Sequence, residues 1–191
     1  MATSALPDLL ARAARIRLLL MDVDGVLTDG RLYNIPFPDG KILETKAFDS
    51  QDGIALQWLS WYGIATGVIS GRISPATEER ARQAKMKYVF QGHIEKIPIL
   101  EEILRDAAVS AEEVAFIGDD FTDVVLFRRV GLGIATANAR DEVKRSARHT
   151  TSAPGGMGAV REVCELILKA RGHWPEILKK YEMIIFLILI L

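Results

Sequence analysis

Short apolar runs of strand length alternate along this chain with longer segments whose apolar residues recur at helical spacing. The runs fall at residues 17–21, 63–69, 88–90, 114–117 and 131–135, with a short last strand expected at 150–152. Between them the spacing predicts helices over 6–16, 75–84, 94–107, 142–147 and 158–170. Another helix carries Ile54, Leu56 and Leu59 behind Asp52-Gly53, and one follows residues 118–123. Strands alternating with helices at this spacing predict an α/β fold with a doubly wound parallel sheet, Rossmann-type in organisation. Residues 30–48 break the pattern. Two alternating segments flank Pro36-Phe37-Pro38-Asp39-Gly40 and predict a β-hairpin, either a flap over a site or a contact between subunits.

The first strand carries the strongest chemical signal. Leu18-Leu19-Leu20-Met21 reads as a buried central strand and runs straight into Asp22-Val23-Asp24-Gly25. Side chains two apart on extended chain point the same way, so both carboxylates should face the crevice beyond the strand's carboxyl end. Held that close they repel unless a proton or a hard cation such as Mg2+ lies between them. A solvated Asp-x-Asp loop is the plainer alternative. Three further strand ends carry polar groups: Ser70-Gly71-Arg72, Gln91 with nearby His93 and Lys96, and Asp119-Asp120 with Asp123. Each has an ordinary turn or surface explanation, but parallel strands bring all four ends to one edge.

Composition narrows the classes. At 191 residues, with 49% hydrophobic residues, the chain suits a single domain with a real core, taken here as 1–183. A net charge of −1 gives no case for nucleic acid. The one cysteine, Cys164, lies in a helical apolar pattern and reads as core. With no basic-then-apolar leader, the expected compartment is the cytoplasm. Residues 184–191 form an apolar tail too short to span a bilayer, and its role is left open.

Taken together, Asp22-Val23-Asp24-Gly25-Val26-Leu27-Thr28-Asp29, the Ser70 turn, Lys96 and Gly118-Asp119-Asp120-Phe121-Thr122-Asp123 resemble the ordered motifs of the haloacid dehalogenase superfamily of phosphatases, over about residues 16–171. The resemblance implies a capless member in which the hairpin stands in place of a cap domain. It implies Asp22 as nucleophile, Asp24 as acid and base, and Lys96 and Ser70 on the phosphoryl oxygens, with Gly71 beside them. It also implies Mg2+ on Asp22, the Asp24 backbone carbonyl and Asp119, with Asp120 and Asp123 as supports behind them.

Within that superfamily, residues 22–30, the hairpin, 48–53, 69–72 and 155–162 resemble the 3-deoxy-D-manno-octulosonate 8-phosphate phosphatases. That resemblance implies a homotetramer acting on an acidic sugar phosphate in lipopolysaccharide precursor synthesis. Arg72 would then pair with the sugar carboxylate, while His93 either contacts sugar hydroxyls or is a bystander. Met157 departs from the family's Gly-Gly-Arg-Gly pattern, and Asp49-Ser50-Gln51 lacks its basic residue. The competing expectations are a phosphatase of a nine-carbon keto-acid sugar 9-phosphate, a phosphomutase, and a non-catalytic partner of a sugar nucleotide synthetase.

Overall fold

The computed structural model of the protein describes residues 5–183, so the apolar tail lies outside the described residues. Its element order is α1 (Ala5–Ala13), β1 (Leu18–Met21), β2 (Tyr33–Pro36), β3 (Ile42–Thr45), α2 (Ser50–Trp61), β4 (Ala65–Ile69), α3 (Pro75–Gln83), β5 (Tyr88–Phe90) and α4 (Lys96–Ala107). There follow β6 (Val114–Gly118), α5 (Phe121–Phe127), β7 (Leu132–Ala135), α6 (Asp141–Ser146), β8 (His149–Thr150), α7 (Ala159–Ala170) and α8 (Trp174–Lys180). Six strands form one parallel sheet in the order β5-β4-β1-β6-β7-β8, and β2 pairs antiparallel with β3 as a separate hairpin.

β1 sits centrally because it is apolar on both faces. Leu19 and Met21 enter one core with Leu56 and Leu59 of α2 and Val160, Val163, Cys164 and Ile167 of α7. Leu18 and Leu20 enter the other with Ile99 and Ile103 of α4, Leu126 of α5 and Val143 of α6. The period-2 alternation of the strand thus decides which helices cover which face. Strand order reverses around β1, since β4 lies on one side and β6 on the other. The crevice at that switch point is where open α/β sheets bind ligands.

Local chemistry shifts several boundaries. α2 begins at Ser50, ahead of the expected start, because the Asp49 carboxylate accepts the Gln51 N–H at 2.7 Å and caps the helix. Gly53 is therefore helical, and its missing side chain makes room for the Arg80 guanidinium of α3. Glu113 accepts the Ser110 N–H at 2.9 Å, a capping box that closes a 3-10 turn before β6. The last strand is His149–Thr150. α8, unforeseen in the hydrophobic pattern, starts at Trp174 with Pro175 in its first turn and buries Ile177. Among the described residues no helix is long and apolar enough to cross a membrane.

Candidate active site

The loop after β1 turns sharply. The Val23 carbonyl accepts N–H groups from Leu27 at 2.9 Å and Thr28 at 3.1 Å. Gly25 takes φ +86°, and a Cβ there would overlap the Asp119 carboxylate, so a glycine is required on both counts. A second loop braces this turn: Asn138 donates its side-chain N–H to the Gly25 carbonyl at 2.9 Å and accepts the Gly155 N–H at 2.6 Å. Gly155 lies so close to that carbonyl that any side chain would collide with it. Met157, two residues on, is exposed and does not line the cleft.

These loops enclose a cleft of about 290 Å3 lined by Asp22, Asp24, Ser70, Arg72, Lys96 and Asp119, with Gly30, Gly71, Ile94, Asp120 and Thr122 completing its wall. Parallel strand ends β1, β4 and β6 and the first residue of α4 deliver the charged groups. Lys96 is the anchor. Its side chain is 2% exposed, and its Nζ donates to Asp123 Oδ1 at 2.7 Å and to Asp22 Oδ1 at 2.9 Å. Burial opposes its charge, but Asp123 and Asp22 outweigh burial and hold the ammonium above its ordinary pKa.

Asp123 is fully buried and spends both oxygens on structure. Its Oδ2 accepts the Asp119 N–H at 2.9 Å and the Asp120 N–H at 3.2 Å, which folds the loop after β6 around it. Asp120 caps α5 by accepting the Phe121 N–H at 2.8 Å. The carboxylates of Asp22, Asp119 and Asp123 lie within 4.8 Å of one another. Because both Asp123 oxygens are engaged, while Lys96 takes only Oδ1 of Asp22, Asp22 and Asp119 are the pair left to take a cation. Burial, then the Asp123 and Asp22 charges, pushes the Asp119 carboxyl up to about 7. Burial likewise pushes Asp22 up to about 6, against the pull of Lys96. Asp119 Oδ1 is buried with no hydrogen-bond partner. A hard oxygen set with an orphaned, charge-crowded carboxylate fits Mg2+.

The Asp24 carboxylate, on the same cleft wall, is held by the hairpin. It pairs with Lys46, whose side chain is 1% exposed, and lies 3.8 Å from Arg72 Nε. Arg72 in turn pairs with Glu44 of β3, and Glu44 Oε1 lies 3.6 Å from Lys46 Nζ. The sequence reading missed Glu44 and Lys46. Their i, i+2 placement at the end of β3 puts two opposite charges on one side of the extended chain, a local hint that does not tell which partner Lys46 takes. Ser70 is buried and its Oγ accepts the Arg72 N–H at 3.2 Å, so it shapes the turn that aims Arg72. His93 packs edge-on to Phe90 with ring centroids 6.1 Å apart, and its backbone N–H bonds the Ser70 carbonyl at 2.9 Å. Its side chain is not among those lining the cleft.

Comparison with known proteins matches this arrangement. The haloacid dehalogenase-like hydrolase family profile matches residues 76–160. The chain is 37% identical over 169 residues to the Escherichia coli 3-deoxy-D-manno-octulosonate 8-phosphate phosphatase KdsC, covering 88% of both chains. The crystal structure of the same enzyme from Yersinia pestis superposes with a TM-score of 0.82 at 39% identity, covering 87% of this chain and 88% of that one. That from Moraxella catarrhalis, in complex with magnesium, phosphate and the octulosonate sugar KDO, superposes with a TM-score of 0.86 at 36% identity, covering 92% and 99%. With its ordered motifs converging at the switch point of such a sheet, the chain belongs to the 3-deoxy-D-manno-octulosonate 8-phosphate phosphatase family of haloacid dehalogenase-like hydrolases.

Proposed function

We propose that the chain hydrolyses 3-deoxy-D-manno-octulosonate 8-phosphate, releasing phosphate in lipopolysaccharide precursor synthesis. The observation that carries this reading is the convergence of Asp22, Lys96 and Asp119 in one cleft with Arg72 at its rim. In this mechanism Asp22 attacks phosphorus and carries the phosphoryl group as an aspartyl-phosphate. Asp24 protonates the leaving alkoxide, then takes a proton from the water that cleaves the aspartyl-phosphate. Ser70 and Lys96 bind phosphoryl oxygens, and Asp123 keeps the Lys96 ammonium charged and aimed. Asp22, Asp119 and the Asp24 backbone carbonyl would hold Mg2+, which supplies charge neutralisation between an anionic phosphate and a cluster of carboxylates. Arg72, a planar fork at the cleft rim, suits the sugar carboxylate.

The hairpin supports two further parts of the reading. It exposes Leu32, Ile35, Phe37, Ile42 and Leu43, more apolar surface than a solvated ribbon needs, which favours burial between copies in a homotetramer. Its Lys46 and Glu44 pair with Asp24 and Arg72 of the cleft wall, as a flap within one domain spanning 1–183 would. The single thiol, Cys164, is buried in the core and suits a reducing cytoplasm.

The test is phosphate release, with and without Mg2+, from the eight-carbon 8-phosphate, a nine-carbon keto-acid 9-phosphate and neutral hexose phosphates. A preference for the eight-carbon acid that requires Mg2+ supports the proposal. Preference for the nine-carbon acid moves the assignment to that substrate, and no release from any ester overturns the hydrolytic reading.

A further inference from the structure

Arg72 is the cation offered to the substrate's acid group, yet it is already claimed. Its guanidinium contacts Glu44 of the hairpin and stands 3.8 Å from Asp24. Two carboxylates therefore crowd one fork, and an incoming third competes with them for it. Asp24 has the firmer alternative hold, because Lys46 pairs with it from a side chain that is 1% exposed. Glu44 is the weaker claimant. Its pair with Arg72 is partly open to solvent, with the two side chains 25% and 46% exposed, so it is screened and exchanged more readily than a buried pair. Its other oxygen, Oε1, is buried without a hydrogen bond and faces Lys46 Nζ at 3.6 Å. A second cation thus stands ready to receive the carboxylate when it lets go of Arg72.

We propose that Glu44 is an internal stand-in for the substrate's carboxylate, a specificity residue that an acidic sugar phosphate displaces from Arg72 onto Lys46. This rests on the reading of Arg72 as the partner of the sugar acid and adds what the hairpin does there. Displacement costs the substrate part of its affinity. In exchange, Arg72 is never left as a bare cation that any anion could occupy, and only a ligand with a carboxylate in the right place recovers the pair.

The experiment compares Glu44→Gln and Glu44→Asp with the wild type on 3-deoxy-D-manno-octulosonate 8-phosphate and on p-nitrophenyl phosphate, in Mg2+. Glutamine removes the competing charge, and aspartate keeps it but withdraws it by one methylene. Both variants should lower KM for the sugar acid about threefold or more, the size of a screened ion pair. The ratio of kcat/KM for the acid over the nitrophenyl ester should rise accordingly. In an Arg72→Ala background the Glu44→Gln change should leave that ratio where it was. An unchanged or raised KM for the acid in both variants overturns the inference, and so does an equal rise in the ratio without Arg72. The two failures separate cleanly: a wild type inactive on the octulosonate phosphate refutes the substrate and this inference with it. A wild type active on it whose Glu44 variants show no gain refutes the inference alone.

Discussion

Lys46, on the hairpin, holds the carboxylate of Asp24, on the loop after β1, in an ion pair whose ammonium-bearing side chain is 1% exposed. The proposed acid-base group is therefore positioned by a residue 22 positions away on a different structural unit. Removing one member of such a pair leaves the other to reorient, and small misplacements at a reacting group cost rate steeply. Lys46→Met is expected to lower kcat about tenfold or more on both the sugar acid and p-nitrophenyl phosphate, because Asp24 serves every ester. Lys46→Arg should recover part of the loss. Steady-state phosphate release distinguishes this from the Glu44 effect, which depends on the substrate's carboxylate.

Asp22→Asn should abolish turnover, since an amide oxygen is too weak a nucleophile to form the phosphoryl-enzyme. Asp24→Asn should cost about 10²–10⁴-fold, the usual worth of a positioned acid and base. Neither should unfold the protein. Burial already strains the Asp22 charge, its pKa being pushed up to about 6, so neutralising it relieves the fold rather than damaging it. Circular dichroism checks the folding, and wild-type turnover by Asp22→Asn would exclude the covalent route.

Arg72→Ala should raise KM for the octulosonate phosphate about tenfold or more, as expected for a lost charge-assisted hydrogen bond. The rise for p-nitrophenyl phosphate, which has no carboxylate, should be much smaller. Equal effects measured on both substrates would remove carboxylate recognition from Arg72.

What the chain declared in advance, and what it concealed, divide along a physical line. β1, β4 and β6 were legible because a doubly covered strand must be apolar on both faces, as Leu18 through Met21 are. The candidate site was legible because parallel topology forces the strand ends carrying Asp22, Ser70 and Asp119 to one edge, where they line one cleft. Contacts between distant segments left little local trace. Nothing in the pattern near residue 46 says that its ammonium is buried against Asp24, or that Asn138 secures the Gly25 carbonyl. α8 was missed for a related reason. It is short, and it is held by tertiary contacts of Trp174 and Tyr181 with Trp58, at ring-centroid separations of 5.9 and 5.8 Å, rather than by its own periodicity.

Mg2+ binding should be measurable without any turnover. Asp119 is pushed up to about 7 by burial and by the Asp123 and Asp22 charges, so a bound cation must displace protons from this cluster. Stabilisation by Mg2+ should accordingly grow as pH rises from about 6 to about 8. At a free concentration of about 100 Kd the gain is about 2.7 kcal/mol, or roughly 5–10 °C in Tm for a domain of this size. In Asp119→Asn the shift should largely vanish, as thermal melts with and without Mg2+ would show. A full shift in that variant would exclude Asp119 as a ligand.

Asp52 gives the fold a pH dependence of its own. Its side chain is buried, with Oδ1 accepting the Arg161 N–H at 2.7 Å, so a residue in the first turn of α2 caps the start of α7. Oδ2 has no partner. Burial, reinforced by the nearby Asp49 charge and opposed by the Arg161 N–H, pushes the carboxyl up to about 6. The folded state therefore holds a proton that the unfolded chain releases near its ordinary value of 3.8. Between those two values the native protein binds more protons, so this group's contribution to stability is present at low pH and is lost as pH rises through about 6. Asp52→Asn keeps an oxygen for Arg161 and cannot ionise. Relative to the wild type it should gain stability between pH 4 and pH 7, by up to roughly 2–3 kcal/mol, and stay level with it below pH 4. Denaturant melts across that range test the sign: a variant that loses stability relative to the wild type as pH rises would mean that the Asp52 charge holds α2 and α7 together rather than straining them.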